Sequence, residues 1–147
     1  MKHDIFFDGN VKEYSWTIRT GKKLADQIRT HPPAYLSGGK LDVKASEESK
    51  FIALHVGIYW GLGVHIIKNN DQINVMCDSK IMYETFTEGK KSDNQIINDK
   101  VYFINQLTEL RKLKINFQLM DAKENLATRH LFAEGKDTAE RDSFSYV

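Results

Sequence analysis

An α/β fold built on one mixed sheet is predicted by three observations. Strand-like segments cluster at the start of the chain, and later strands alternate with helical patterns. Two strands, Ile5-Phe6-Phe7-Asp8 and Ile73-Asn74-Val75-Met76-Cys77-Asp78, each end on an acid before a turn or a helix. Clustered strands pair antiparallel and strands separated by helices pair parallel, so the sheet should be antiparallel on one side and parallel on the other. The order is βββαβααβα: five strands, with helices on both faces.

The first strand is a short apolar run from Ile5 to Asp8, with Phe6 and Asp8 on one face and Ile5 and Phe7 on the other. Gly9-Asn10 supplies turn chemistry. Tyr14 to Ile18 alternates and is rich in β-formers, Thr20-Gly21-Lys22 turns, and Leu24 to Ile28 returns as a third strand. The stretch from His31 to Ala45 holds Pro32-Pro33 and Gly38-Gly39 and reads as a long loop, with one short edge strand near Tyr35-Leu36. Ser46 caps a helix whose first turn carries Glu47 and Glu48, both favoured at the positive end of the macrodipole. Phe51, Leu54, Ile58 and Leu62 follow at helical spacing, and Ala53, Gly57 and Gly61 form a small-residue column. Each glycine costs about 1 kcal/mol of helix propensity relative to alanine, which implies close packing on the sheet. This central helix is expected to end near Lys68 to Asn70. After the Asp78 strand come a short helix from Ser79 to Thr87, a polar turn, and a longer amphipathic helix marked by Ile97, Val101, Ile104 and Leu107 that runs to about Lys112. Ile115 to Leu119 is the last strand, and Asn125 to Ala133 the last helix.

A chain of 147 residues with 41% hydrophobic and 28% charged residues fits one globular domain, neither disordered nor membrane-spanning. That domain is expected over residues 1–135, with a charged tail over 136–147. No apolar run reaches the length that a bilayer requires, and Met1-Lys2-His3-Asp4 does not read as a signal peptide. The single cysteine, Cys77, cannot form an internal bridge, which suits a reducing, cytoplasmic setting. Twenty-one basic and 20 acidic side chains leave a net charge of +1, so any nucleic-acid binding must rest on a local patch.

Phe7-Asp8-Gly9, Phe51-Ile52-Ala53-Leu54 followed by Gly57-Ile58, Cys77-Asp78-Ser79, and Glu124-Asn125 followed by Leu131 together resemble the ribonuclease H family. The pieces run from Ile5 to about Gly135, and their order and spacing carry the likeness more than any one does. The polar Gly89-Lys90-Lys91 turn before the long helix looks like compact members that lack an extra basic helix. The resemblance implies a ribonuclease H-like fold and hydrolysis of the RNA strand of an RNA–DNA hybrid. It also implies two Mg2+ or Mn2+ ions held by four carboxylates. Two divalent ions about 4 Å apart repel strongly, so several anionic oxygens must surround them.

Asp8 and Asp78 match two of the four positions as catalytic, metal-binding acids. The other two are replaced. The glutamate expected before the aromatic residue of the central helix is Lys50, and the acid expected four residues after the asparagine of the last helix is Arg129. Four negative charges become a net of about zero. Lys50 and Arg129 are expected instead to hydrogen-bond to Asp8 and Asp78, closing a salt-bridge cluster where metals would sit. Glu47, one turn before Lys50 on roughly the same face, is the better displaced catalytic acid; Glu48 lies nearly opposite. Asp121 or Glu124, in the loop that precedes the last helix, is a further substitute for the fourth acid.

The other candidates have plainer readings. Glu47 and Glu48 can simply complement the helix dipole. The five histidines, at 3, 31, 55, 65 and 130, show no close ligand spacing, and His130 reads as a surface residue. Cys77 reads as a small buried hydrophobe. Tyr59 and Trp60 can stack on bases, but aromatics on a core helix more often pack. Lys90 and Lys91 can contact phosphates, but a lysine pair in a turn is usually just solvated. The expectation is a degenerate, pseudoenzyme-like site in a protein that binds RNA–DNA hybrid, RNA or a protein partner and no membrane. The alternative is an active Mg2+-dependent nuclease using Asp8, Asp78 and Glu47.

Overall fold

A computed structural model describes residues 1–33 and 46–131. The expected edge strand at Tyr35-Leu36, the residues after Leu131 in the last helix and the tail at 136–147 lie outside the described residues. Three strands open the chain, β1 (Lys2–Gly9), β2 (Glu13–Thr20) and β3 (Lys23–Thr30). They are followed by α1 (Ser46–Gly63), β4 (Gln72–Cys77), α2 (Lys80–Thr87), α3 (Gln95–Arg111), β5 (Lys114–Leu119) and α4 (Thr128–Leu131). The strands form one sheet in the order β3-β2-β1-β4-β5. The β1–β2 and β2–β3 pairs are antiparallel, and β1–β4 and β4–β5 are parallel. This is the predicted mixed sheet, with β1 and β4 side by side at its centre so that their carboxyl ends open onto the same crevice.

The two faces are separated by strand alternation. Ile5, Phe7, Trp16, Ile18, Ile73 and Val75 are fully buried in the core that α1 covers. Ser15, one residue out of phase with Trp16, instead donates to the carbonyl of Ala127 at 2.8 Å, which places the α4 side on the opposite face. The small column of α1 packs as its composition requires. A Cβ on Gly57 would lie 3.0 Å from Trp16 and 3.1 Å from Ile5, and one on Gly61 would lie 2.7 Å from Ile67 and 2.9 Å from Ile18. Loss of helix propensity is thus exchanged for close approach of helix and sheet.

Two helix boundaries differ from expectation. Helix α1 stops at Gly63 rather than near Lys68. His65 takes a left-handed φ of 65°, and the amides of Ile66 and Ile67 both return to the carbonyl of Gly61, at 2.9 and 3.0 Å. That turn brings Ile67 back into the core, where it is 1% exposed, so burying one isoleucine outweighs another helical turn. Helix α4 begins at Thr128 rather than Asn125. The Asn125 side chain accepts from the amide of Ala127 at 3.0 Å while its amide nitrogen serves the sheet, so this segment is a turn. The remaining helix starts follow side-chain caps: Ser79 accepts from Met82 at α2, and Asn94 accepts from Ile97 at α3.

Candidate functional site

Asp8 near the end of β1 and Asp78 just past the end of β4 come together because their strands are parallel neighbours. Lys50 reaches them from the first turns of α1. Its Nζ donates to Asp78 Oδ1 at 2.8 Å and lies 3.9 Å from Asp8 Oδ1. The three side chains are largely enclosed, at 15% exposure for Lys50, 12% for Asp8 and 4% for Asp78. Burial opposes the Lys50 charge. The hydrogen bond to Asp78 and the negative charges of Asp78, Asp8 and Glu47 outweigh it and hold the ammonium above the ordinary lysine pKa.

The remaining carboxylate oxygens are also engaged. Asp8 Oδ1 accepts from the amide of Gly9 at 2.8 Å, and Asp8 Oδ2 accepts from the Thr128 hydroxyl. Asp78 Oδ2 accepts from Asn125 Nδ2 at 2.9 Å, and the same nitrogen reaches the carbonyl of Phe7 at 2.9 Å. Asn125 therefore ties the α4 side of the molecule to both strand ends. Glu47 borders the cluster, accepting from Ser79 Oγ at 2.7 Å, while Glu48 turns away and accepts from Asn94 Nδ2 at 2.7 Å. Cys77 is fully buried beneath the site, and burial together with Asp78 and Glu47 pushes its thiol up to about 12, so it is no nucleophile.

Arg129 does not join the aspartates. Its Nη2 donates to both carboxylate oxygens of Asp26 on β3, at 3.0 Å each. Asp26 also accepts from Thr17 at 2.6 Å and has His130 Nε2 at 3.5 Å. Burial works against its charge, but His130, Thr17 and Arg129 together hold its pKa down at about 2. The expected four-member cluster is therefore corrected to one cation and two acids. Helix α4 places Thr128 toward Asp8 and, one residue on, Arg129 toward the outer strands. His130, expected at the surface, has a side chain only 12% exposed. Sequence reading missed Thr128 and Asp26; a threonine beside a lost acid position gives no chemical signal.

Asp121 is exposed and caps the short 3-10 turn Ala122–Glu124 by accepting from Lys123 N at 3.0 Å, and Glu124 is exposed as well. Neither joins the Lys50 cluster through a hydrogen bond or ion pair among the described residues. Lys90 and Lys91 are both exposed, Lys90 in an ion pair with Glu84 at 2.7 Å. Trp60 packs on Trp16 with ring centroids 5.7 Å apart, whereas Tyr59 is 65% exposed.

The residues present do not fit a pair of divalent ions. Among the described residues no group of three His, Cys, Asp or Glu side chains is arranged to hold a metal. A divalent ion seated about 4 Å from the Lys50 ammonium would be repelled by roughly 8 kcal/mol at an effective dielectric of about 20. Both aspartates are meanwhile already serving hydrogen-bond donors.

No protein-family model matches the chain, and no curated protein matches it. Solved structures do. RNase H1 from the halophilic archaeon Halobacterium salinarum NRC-1 superposes with a TM-score of 0.64 at 12% identity, covering 90% of this chain and 98% of that one. The N-terminal RNase H domain of Rv2228c from Mycobacterium tuberculosis gives 0.60 at 14% identity, with 99% and 96% covered. LC11-RNase H1, solved in complex with an RNA/DNA hybrid, gives 0.57 at 9% identity, with 87% and 91% covered. At these identities the likeness is one of fold.

Proposed function

We propose that this chain, which has a ribonuclease H-like fold, is a nucleic-acid-binding module that has exchanged metal-dependent cleavage for a lysine-closed site. One observation supports the reading above the others: Lys50 Nζ lies 2.8 Å from Asp78 Oδ1, inside a pair of strand-end acids, at the position where the family resemblance calls for a glutamate. A fixed ammonium neutralises part of the acidic charge that would repel a phosphate backbone, but it neither activates water nor stabilises a leaving oxygen as two metal ions do. The ligand class is RNA–DNA hybrid or RNA, in keeping with the hybrid bound by LC11-RNase H1. Lys90 and Lys91 are the proposed phosphate contacts outside the crevice, and Asp8, Lys50 and Asp78 form its floor.

The test is binding of a labelled RNA–DNA hybrid by fluorescence anisotropy, in EDTA and in Mg2+. Equal affinity in both, falling steeply with salt, is the expected result. Affinity that requires Mg2+ would overturn it.

A second reading has one observation of its own. Glu47 stands beside the cluster, held by Ser79, so Asp8, Asp78 and Glu47 could serve an active nuclease if Lys50 swung out. Lys50→Ala separates the two readings: it should gain no hydrolysis in Mg2+ or Mn2+ under the first and should raise it under the second.

A further inference from the structure

The β1–β2 register that pairs Asp4 with Arg19 sets His3 opposite Thr20 one step further on, and the parallel β1–β4 pairing brings Asp71, just before β4, beside the start of β1. His3 Nδ1 lies 2.6 Å from the Thr20 hydroxyl, and His3 Nε2 lies 2.8 Å from Asp71 Oδ2. The imidazole is fully enclosed. Burial opposes the charge of Asp71, but hydrogen bonds from His3, the Lys68 amide and the Met1 ammonium hold its pKa at about 2. An ionised carboxylate only accepts, so His3 Nε2 donates to it. In a neutral imidazole the other nitrogen is then the acceptor, and the Thr20 hydroxyl donates to Nδ1. These residues stand at the amino ends of β1 and β4, away from the crevice that holds Lys50.

Thr20 also lines a cavity of about 700 Å³. Its walls include Ile18, Leu24, Ala25 and Ile66, and it carries Lys2, Lys22 and Lys23 with no acid among the described residues of the lining. We infer that Thr20, His3 and Asp71 are the nucleophile, the general base and the positioning carboxylate of a separate site that hydrolyses carboxylic esters with an apolar acyl group. A hydroxyl within hydrogen-bond reach of a base that a third group orients is the arrangement covalent acyl transfer needs, on whatever fold it occurs. Thr20 Oγ1 bonds to the ester carbonyl carbon as its proton passes to His3 Nδ1. The tetrahedral oxyanion collapses, the bond to the alcohol oxygen breaks, and that oxygen takes the proton from His3, leaving acyl-Thr20. Water then bonds to the acyl carbon and gives a proton to His3; Thr20 Oγ1 leaves, regains that proton, and the carboxylic acid departs. The apolar walls receive the acyl chain, and the lysines supply positive potential for the oxyanion.

The test is hydrolysis of p-nitrophenyl butyrate by the full chain in EDTA, read as p-nitrophenolate release, with acid-quenched samples mapped by mass spectrometry. Wild type should exceed the buffer rate and carry the butyryl group on Thr20. Thr20→Val, which keeps the branched shape without the hydroxyl, and His3→Gln should each lower kcat by at least about a hundredfold. Thr20→Ser should stay active, which separates lost chemistry from lost folding. Asp71→Asn should lower kcat with KM unchanged, because the carboxylate holds the imidazole and does not touch the ester; a purely structural role would lower the melting temperature and leave kcat of the folded protein as it was. Wild-type hydrolysis no faster than buffer overturns the proposal, as does activity that survives Thr20→Val, a Thr20→Ser variant as inactive as Thr20→Val, or a butyryl group found on Lys22 or Lys23 and not on Thr20.

Discussion

Lys50 decides what the strand-end acids do. With its ammonium removed, two largely enclosed carboxylates face each other without a cation, and breaking such a pair costs more than the pair itself contributes. Lys50→Ala should therefore lower unfolding stability by about 2–3 kcal/mol in urea titrations at neutral pH. The lysine was legible in the sequence because the resemblance fixes its register, and a positive charge at an acid's position is a strong chemical signal. Arg129 was misread because its partner, Asp26, lies on the third strand, and no local pattern reports which distant acid a helix-end arginine meets. Burial, with Lys100 Nζ at 3.2 Å, lowers the His55 pKa to about 4 from an ordinary value of 6.5. Between those values the unfolded chain binds the proton and the folded one does not, so stability should fall as pH drops from 6.5 toward 4. His55→Gln should flatten that slope in urea midpoints measured across the window; an unchanged slope would contradict it. Asp26, held at about 2, contributes stability that is present above its ordinary 3.8 and lost only as pH falls from there toward 2, a separate window.

At the scale of elements, the periodic segments were readable and the ends were not. The strands β2 and β3 and the packing column of α1 follow from residue type and spacing, whereas the caps at Ser79 and Asn94 emerge only in the fold. The end of α1 does not, because it depends on Ile67 returning to a pocket made by Gly61 and Ile18. The start of α4 does not either, because Asn125 bonds to Phe7 and Asp78, far away in sequence. The column can be tested. Gly57→Ala gains about 1 kcal/mol of helix propensity but sets a methyl 3.0 Å from Trp16, so the core term should win and net stability should drop by on the order of 1 kcal/mol. A stabilised variant in thermal melts would show that the helix can move off the sheet without cost.

For the whole molecule, the mixed sheet and the order of elements along the chain were legible because clustered and alternating strands admit few topologies, while the strand order β3-β2-β1-β4-β5 within the sheet comes from the structure. That topology puts Asp8 and Asp78 together whatever the site does, so the acids alone cannot distinguish a nuclease from a binding module. Among the described residues no helix is long and apolar enough to cross a membrane. The distinction rests on the cation between the acids. It is tested most directly by incubating purified wild type and Asp78→Asn with an end-labelled RNA–DNA hybrid in Mg2+ and, separately, in Mn2+. The lysine-closed site should give wild-type cleavage no greater than that of Asp78→Asn in either metal. Metal-dependent cleavage by wild type that disappears in Asp78→Asn would contradict it.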